Sequence, residues 1–513
     1  MLGQTNSYAT IGIDAIRISV ETDVRGGQQP FAIVGLPSNT VKESKERVMS
    51  AIRNSGFRLI AASYTVNLAP ADIRKEGASL DLPIALSLLV SLSNMSSKNL
   101  NQYAMIGELA LDGSIRPVKG VLPIAIQAQK DKVAGLILPR ENAEEAGIID
   151  GLNVYPVSTL NEAVNFLEER ITIEPVVVDK AKIFAILNEA PVDMFDVKGQ
   201  FQVKRALEVA AAGGHNLLML GPPGSGKTML ARRIPTILPD MTIEEALETT
   251  KIHSIAGLSM NLKNGIVTYR PFRAPHHTIS DVALIGGGAY PKPGEVSLSH
   301  HGVLFLDELP EFKKNVLEVL RQPLEDGIVS IARAQQSLIF PAEFILIASM
   351  NPCPCGYYGN HIPGHSCNCP PPIIQRYRSR VSGPLLDRID IHIEVPAVLF
   401  QELSAQPTGE TSVTIRKRVN ASRKIQLERF NEDKIYCNAQ MNSKLIRKYC
   451  HLTKESQEII RNAMDTMGFS ARVYDRIQKV ARTIADLEGS KEILPFHISE
   501  AVQYRSLDRK FWD

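Results

Sequence analysis

Hydrophobic and polar residues in the first third of the chain follow both the strand period and the helix period. From Ile11 to Val20 apolar and polar residues roughly alternate, a pattern that predicts a strand. Ser38 precedes a segment whose apolar residues recur at helical spacing as far as Gly56, which predicts a helix. Strand and helix signals continue to alternate after it, so residues 1–170 are predicted to form a mixed α/β domain.

The pattern changes twice in the rest of the chain. Residues 171–195 are rich in Val, Pro and acidic residues without a sustained period, which predicts a linker with one short helix. Residues 196–396 again mix helices with short apolar strands such as Leu217–Leu220, and they are predicted to form a second α/β domain. Helix formers dominate residues 397–513, where the clearest amphipathic helix starts at Ser470.

Composition and charge exclude several classes of protein. The 513 residues are 44% apolar and 22% charged, which excludes a disordered chain, and the length suggests about three domains. The 57 Lys and Arg residues against 55 Asp and Glu residues leave a net charge of +2, so any contact with nucleic acid requires a local basic patch. The longest apolar run, from Leu80 to Leu92, is interrupted by Asp81 and Pro83, so no membrane span is expected.

The cysteines favour metal binding over disulfides. The N-terminus lacks the basic and apolar stretches of a signal peptide, so we expect a cytoplasmic protein whose six cysteines are reduced. Four of them form the pairs Cys353-Pro-Cys355 and Cys367-Asn-Cys369, which suit four thiolates around one zinc ion, although the usual pairs are C-x-x-C. The alternative is four free thiols in a loop.

A glycine-rich segment between an apolar strand and a helix predicts a nucleotide site. It matches the pattern G-x-x-x-x-G-K-[ST], in which backbone N–H groups surround the phosphates, the lysine reaches the β and γ phosphates and the last hydroxyl binds Mg²⁺. The alternative is an incidental glycine-rich turn. The predicted ATP- and Mg²⁺-binding residues are Gly221, Pro222, Pro223, Gly224, Ser225, Gly226, Lys227 and Thr228.

Further polar residues stand at the ends of predicted strands. Val303–Leu306 is followed by Asp307 and Glu308, so Asp307 is predicted to hold Mg²⁺ and Glu308 to polarise the attacking water. The next strand is followed by Asn351, whose amide can orient that water or contact the γ phosphate; the alternative is an ordinary turn residue. Arg388 precedes another strand and is either a solvated charge or a group that completes a neighbouring subunit's site.

The chain resembles the magnesium-chelatase-like AAA+ ATPases of the YifB/ComM family over essentially its whole length. The segments that carry the resemblance are DVKGQFQVKRALEVAAAGGHNLLMLGPPGSGKTMLA, RPFRAPHHTIS, PGEVSLSHHGVLFLDELPEF and SARVYDRIQKVARTIADL. It implies a Lon-protease-like domain at residues 1–170, an AAA+ core with a parallel sheet at 196–396 and a helical lid at 397–513. It also implies roles for six residues: Lys227 as the P-loop lysine, Asp307 and Glu308 as the Walker B acids, Asn351 as sensor 1, Arg388 as the arginine finger and Arg472 as sensor 2.

The resemblance also implies a ring with a central pore. Residues 254–299 have room for the insertion in helix 2 of this AAA+ branch, and residues 327–340 correspond to the pre-sensor hairpin. In related motors both elements face the pore, so Arg333 is a candidate DNA contact; the alternative is an arginine on a solvated strand. The implied assembly is a homo-oligomer, a hexameric ring, and the implied partner is single-stranded or branched DNA.

The first domain lacks the catalytic pair of the Lon proteases that it resembles. Aligning GELALDGSIRPVKG and EGASLDLP with Lon brings Asp81 near the position of the nucleophilic serine and Leu122 near that of the catalytic lysine. A carboxylate and an aliphatic side chain cannot act as a Ser–Lys dyad. Ser79 and Lys119 are close to these positions in sequence, which says nothing of their geometry. The domain is therefore predicted to be a non-proteolytic scaffold.

These features bear on three classes of function. The resemblance implies a ring-forming ATPase that acts on DNA as a branch-migration helicase, in homologous recombination during natural transformation. The alternative is ATP-dependent remodelling of a protein partner, such as the role of a magnesium-chelatase-type motor subunit. An ATP-dependent protease is disfavoured because the dyad is missing.

Overall fold

The chain divides into two compact units. The structure, a computed structural model, describes residues 2–27, 31–96, 98–185, 192–259, 262, 265–288, 291–332, 337–359, 366–397 and 409–507. Unit 1 comprises Met1–Leu187, Ile243–Thr268 and Ala332–Phe340; unit 2 comprises Asn188–Thr242, Tyr269–Ile331 and Pro341–Asp513. Two segments from the middle of the chain thus belong to the N-terminal unit, while the domain boundaries near residues 170, 195 and 396 stay predictions.

The strands of the described residues are short in unit 2 and longer at the N-terminus. They are β1 (Gly3–Ile11), β2 (Asp14–Gly26), β3 (Ala32–Val34), β4 (Ala62–Ala69), β5 (Tyr103–Met105), β6 (Glu108–Leu109), β7 (Ile115–Arg116), β8 (Gly135–Pro139), β9 (Val154–Val157), β10 (Leu217–Leu220), β11 (Phe272–Arg273), β12 (Gly286–Gly287), β13 (Lys292–Pro293), β14 (Val303–Leu306), β15 (Ile328–Ala332), β16 (Ser337–Pro341), β17 (Ile345–Met350) and β18 (Ile391–Glu394).

Helices dominate the last hundred residues. The helices of the described residues are α1 (Asn39–Asn54), α2 (Asp81–Ser91), α3 (Val121–Lys130), α4 (Ala143–Gly147), α5 (Leu160–Leu167), α6 (Lys180–Ala185), α7 (Phe201–Gly213), α8 (Lys227–Arg233), α9 (Ile243–Ala256), α10 (Asp281–Ile285), α11 (Glu295–Leu298), α12 (Lys314–Glu318), α13 (Arg321–Asp326), α14 (Pro371–Arg378), α15 (Gly383–Leu386), α16 (Ser412–Arg429), α17 (Ser443–Tyr449), α18 (Lys454–Met467), α19 (Ala471–Leu487) and α20 (Pro495–Gln503). None of them is long and apolar enough to cross a bilayer.

Unit 1 is built on a mixed seven-stranded sheet with the order β3-β4-β2-β1-β5-β8-β9. β1 and β2 pair in antiparallel register, with Tyr8 opposite Arg17, whereas β5, β8 and β9 run parallel. Every residue of α2 is buried, so the longest apolar run of the sequence forms a core helix. α9 also belongs to this unit, where the Ser254 hydroxyl donates a hydrogen bond to the buried Glu145 carboxylate at 2.5 Å.

Unit 2 is built on a five-stranded parallel sheet with the order β11-β14-β17-β10-β18. The apolar strand β10 lies between β17 and β18, with Leu217 opposite both Ile347 and Ile391. In a parallel sheet the carboxyl ends of the strands lie at one edge, where ligands bind in such folds. The predicted fold class is confirmed: mixed α/β, with a parallel sheet in the second unit and a helical C-terminal region.

The C-terminal helices bury their apolar faces and pair several of their basic residues with carboxylates. Val473, Ile477 and Ile484 of α19 lie in the same core cluster as the sheet. On α16, Arg418 forms ion pairs with Glu208 and Glu410, and Arg429 pairs with Asp486. These charges therefore join elements of unit 2 together, and Lys417 and Lys424 remain the exposed cations of the helix's middle section.

Candidate nucleotide site and cysteine cluster

The predicted phosphate loop connects β10 to α8 in a close-packed turn. Gly221 lies so near the Val395 carbonyl that an added Cβ would collide with it, and Gly226 has a left-handed φ of +88°. Both positions therefore require glycine. The loop is also held from α7's N-terminus, because the Gln200 side-chain amide donates to the Ser225 carbonyl at 2.7 Å.

Lys227 lies inside this loop. Its Nζ donates to the carbonyls of Gly221 at 2.8 Å and Pro222 at 2.9 Å, and to Oδ1 of Asn351 at 3.1 Å. Burial lowers the pKa of the Lys227 ammonium, and the nearby Asp307 and Glu308 carboxylates oppose that shift. The Lys227 ammonium thus connects the phosphate loop, which follows β10, to Asn351, which follows β17.

Asp307 is held by two hydroxyl groups at the end of β14. Oγ1 of Thr228 donates to one carboxylate oxygen at 2.6 Å, and the Ser349 hydroxyl donates to the other. The side chain has no cationic partner among the described residues, so its negative charge is available for a cation. Carboxylate and hydroxyl oxygens are ligands that Mg²⁺ accepts, and this donor set fits that ion.

Glu308 differs from Asp307 in exposure and backbone conformation. It has a left-handed φ of +54° and an exposed side chain, whose Oε2 lies 3.9 Å from Nδ1 of His277. A non-glycine residue in this region stores strain, and such residues cluster at active sites. From sequence alone His277, in the pair His276-His277, was interpreted as a structural histidine, and Ser349 and Gln200 were not identified. One signal could have indicated His277: it follows β11, and β11 is the parallel neighbour of β14, whose end carries the two acidic residues.

The two predicted arginines lie around a different carboxylate. The Arg388 side chain is 8% exposed; it forms an ion pair with Glu325 and donates to the Pro384 carbonyl at 2.7 Å. Arg472 is exposed in the first turn of α19. The Arg388 hydrogen bond, together with the nearby charges of Arg388, Arg472 and Arg321, lowers the pKa of Glu325. Within the described part of the chain, the Arg388 guanidinium makes no hydrogen bond to the phosphate loop.

The four clustered cysteines converge, and none of them forms a disulfide. Their Sγ atoms all lie within 4.8 Å of one another. Cys353 is 3.3 Å from Cys355 and 3.7 Å from Cys367, and Cys355 is 3.6 Å from Cys367. A tetrahedral zinc–thiolate site with bonds of about 2.3 Å places its sulfurs about 3.8 Å apart. The cluster is therefore close to the dimensions of such a site.

The position that aligns with the Lon nucleophile is filled by a buried ion pair in unit 1. Asp81 is fully buried; it accepts hydrogen bonds from Nε of Arg47 at 2.7 Å, from the Ser44 hydroxyl and from the Leu109 amide at 3.3 Å. Burial raises the pKa of the Asp81 carboxyl, and these partners oppose the shift. Leu122 is buried in α3. These two positions thus hold structural groups.

The predicted DNA contact Arg333 lies outside the described residues. The strands on either side, β15 and β16, agree in position with the two arms of the predicted hairpin.

Family comparisons cover most of the chain. The family described as "Magnesium chelatase, subunit ChlI" matches residues 193–403, "Subunit ChlI of Mg-chelatase" matches residues 20–142, and "Magnesium chelatase, subunit ChlI C-terminal" matches residues 409–505. The phosphate loop, both acidic residues, Asn351 and the cysteine cluster all fall in the first match.

Individual relatives extend over the full length. The chain is 45% identical to the competence protein ComM of Haemophilus influenzae, over 98% of this chain and 97% of that protein. It is 43% identical to the uncharacterized protein YifB of Escherichia coli, over 99% and 98% respectively. It is also 24% identical to the Lon protease of Buchnera aphidicola, over 33% of this chain and 23% of that protein. The chain therefore belongs to the YifB/ComM family of magnesium-chelatase-like AAA+ ATPases.

Proposed function

We propose that this protein is a ring-forming motor that hydrolyses ATP to move DNA strands, as a branch-migration helicase in homologous recombination. The observation that carries the ATP-dependent part is the cluster at the carboxyl edge of the unit 2 sheet. There Lys227 contacts Asn351, and Thr228 contacts Asp307, although these residues come from three separate strand ends.

Each residue of the cluster has a chemical role in this proposal. When bound, ATP supplies the transferable phosphoryl group and Mg²⁺ neutralises part of its charge. Lys227 and the loop amides bind the phosphates, while Thr228 and Asp307 hold the metal ion. Glu308 polarises the attacking water, and Asn351 orients it. Lys227 now donates hydrogen bonds to backbone carbonyl oxygens. Exchanging these for phosphate oxygens is favourable, because hydrogen bonds between two charged groups are stronger.

The ring supplies the remaining charges. We infer that Arg388 acts as the arginine finger and Arg472 as sensor 2, each toward nucleotide at a subunit boundary of a homo-oligomer, a hexamer in this proposal. In the single chain the Arg388 guanidinium is neutralised by Glu325. Glu325 itself is half exposed, so its ion pair can be exchanged for a phosphate on assembly.

The DNA substrate is proposed from the relationship to ComM, which is named a competence protein. In this proposal the setting is homologous recombination during natural transformation, and the substrate is branched DNA. The basic helix α16 is a weak candidate for the DNA contact because Arg418 and Arg429 are already paired with carboxylates. Arg333, within the predicted pre-sensor hairpin of residues 327–340, is the proposed contact instead.

The test is the ATPase rate of the purified full chain without DNA and with single-stranded, duplex or four-way-junction DNA. Stimulation by branched or single-stranded DNA, with conversion of the junction to two duplexes only when ATP and Mg²⁺ are present, supports the proposal. Arg333→Ala is expected to reduce junction processing more than basal ATPase, and binding should weaken steeply with salt. Active ATPase with no binding or processing of any of these substrates would refute the DNA-directed function.

Remodelling of a protein partner is the second candidate. It is favoured by the matches to magnesium chelatase subunit families, which cover most of the chain. In that case a protein partner, rather than DNA, stimulates the ATPase. The ATPase measurements described above separate the two candidates, because they add DNA but no protein partner. Stimulation by DNA supports the first candidate, and its absence in active protein supports the second.

We also propose that Cys353, Cys355, Cys367 and Cys369 bind one zinc ion. The separations of their sulfur atoms support this, as does the tetrathiolate donor set, which zinc favours. Elemental analysis should find about one zinc per chain. Cobalt-substituted protein should show the absorption of a tetrahedral thiolate site, and Cys367→Ser should lose it, while Cys450→Ala, outside the cluster, keeps it. Full-length protein without metal, active and unaffected by Cys367→Ser, would contradict the assignment.

A further inference from the structure

The cysteine cluster and the phosphate loop touch at one point in unit 2. Gly356, directly after Cys355, has a φ of +86°, and an added Cβ there would lie 2.6 Å from Cγ of Pro223 and nearer still to its Cδ. The Gly356 amide donates to the Cys353 carbonyl at 2.9 Å, which closes a turn containing two of the four thiols. The turn that carries these thiols therefore packs directly on the loop predicted to hold the phosphates.

The same turn is fixed at its other end by sensor 1 and by α14. Asn351, which contacts Lys227, is two residues before Cys353. Nε of Arg378 donates to the Pro352 carbonyl at 3.2 Å, and its guanidinium lies 5.1 Å from the centre of the Tyr358 ring. The segment between Asn351 and Tyr358 thus contacts both Lys227 and Pro223, and it carries two of the four clustered thiols.

We propose that a metal ion bound by the four thiolates holds the Cys353–Gly356 turn against Pro223, so that metal occupancy controls how tightly the phosphate loop binds nucleotide. The inference rests on the ATP site of the proposed function. Its physical basis is linkage: a metal that binds only the ordered turn stabilises that turn, and a ligand that needs the same order binds more tightly when the metal is present. The site is then a control point for nucleotide affinity as well as a structural one.

A pair of glycine substitutions separates this contact from general folding. Gly356→Ala forces a Cβ into Pro223, whereas Gly359→Ala introduces the same kind of strain, at a φ of +75°, where no atom lies within 4 Å of the new Cβ. Gly356→Ala should retain the metal but bind a non-hydrolysable ATP analogue about tenfold more weakly, because the loop is displaced. Gly359→Ala should retain both the metal and the affinity.

Metal removal is the second arm. Full-length protein is treated with a chelator, its metal content and thermal unfolding are recorded, and its affinity for the analogue is measured before and after adding Zn²⁺ back. Affinity should fall about tenfold without the metal and recover with it, while Cys450→Ala should behave as wild type. Where chelation unfolds the protein, the glycine pair still tests the contact with Pro223 through which the metal is proposed to act.

The outcomes separate this inference from the proposed function. Wild-type affinity in metal-free, folded protein, or equal affinities for Gly356→Ala and Gly359→Ala, would overturn the control by the metal and leave the ATP site intact. Metal-loaded wild-type protein that fails to bind the analogue at all would instead refute the ATP site and with it the proposed motor.

Discussion

Two carboxylate clusters, one in each unit, show how similar residues have different roles. Asp307 ends a parallel strand of unit 2 and accepts hydrogen bonds from the hydroxyls of Thr228 and Ser349. Asp81 begins a buried helix of unit 1, where its partners include the guanidinium of Arg47. One carboxylate is partly exposed and lacks a cationic partner among the residues described; the other is fully buried and already paired.

The difference lies in the charge of the partners. Neutral hydroxyls orient a carboxylate without cancelling its charge, so Asp307 can still attract a metal ion. An arginine cancels the charge, and burial then makes the pair expensive to separate. We therefore expect changes around Asp307 to affect turnover, and changes around Asp81 to affect stability.

Glu308→Gln should produce the largest effect. The amide keeps the shape of the side chain but removes the charge that polarises water, so ATPase activity should fall by about a hundredfold or more. Nucleotide binding should persist because Lys227, Thr228 and Asp307 are unchanged. The matched control is Glu311→Gln, an exposed carboxylate three residues on, paired with Arg380, which should retain its activity. Wild-type turnover in Glu308→Gln would show that this residue is not the catalytic base.

Arg47→Ala should act on stability. It leaves the buried Asp81 carboxylate without its cation, which costs about 3 kcal/mol of the free energy of unfolding. Calorimetry of the full chain should show one transition lowered by roughly 10 °C. Lys42→Ala, at an exposed position of the same helix, is the control and should leave the transition unchanged. Equal melting of the two variants would mean that the ion pair contributes nothing.

The nucleotide cluster could be predicted from sequence because its signals are local. The phosphate loop and the acids of β14 both adjoin short apolar runs, and buried parallel strands bring such ends to one edge. The start of α1 could be predicted in the same way, because Ser38 precedes it in sequence. In the structure the Ser38 hydroxyl caps the helix by accepting a hydrogen bond from the Val41 amide. These features depend on residues a few positions apart, or on a rule that holds for parallel sheets in general.

The remaining features depend on contacts between distant residues. Nothing in the LLDRID segment indicates that Arg388 is buried against Glu325, 63 positions earlier in the chain. Likewise, nothing local to the segment of α9 indicates that it belongs to unit 1, where Ser254 and Ser259 hydrogen-bond to Glu145. The hydrogen-bond partner of a side chain and the order of strands in a sheet do not follow from the hydrophobic period of a single segment, because tertiary packing decides both.

Subunit mixing tests whether the nucleotide cluster needs a second chain, which the self-contained Asp81 cluster does not. Arg388→Ala and Lys227→Ala should each have much reduced ATPase activity on their own. In mixed rings some boundaries combine an intact Lys227 with an intact Arg388 from the neighbour, and random mixing at equal amounts makes this about a quarter of them. Recovery near that level supports action between subunits. No recovery, in rings shown to contain both variants, would place Arg388 within its own chain's site or outside catalysis.

Asp81→Asn should have the smallest effect on turnover. The amide retains the size of the carboxylate; its oxygen can still accept the hydrogen bond from the Leu109 amide, and its NH2 group can donate to the Ser44 hydroxyl, which contacts the other carboxylate oxygen in the wild type. Arg47, whose side chain is 22% exposed, can be hydrated instead. ATPase activity per nucleotide-binding site should stay within about twofold of wild type, a change of under 1 kcal/mol in the barrier. The measurement is the rate divided by the number of bound analogue molecules, which removes any loss of folded protein. A large fall in this ratio, with unchanged melting, would contradict the division between the two clusters, because it would mean that the charge of Asp81 in unit 1 influences hydrolysis.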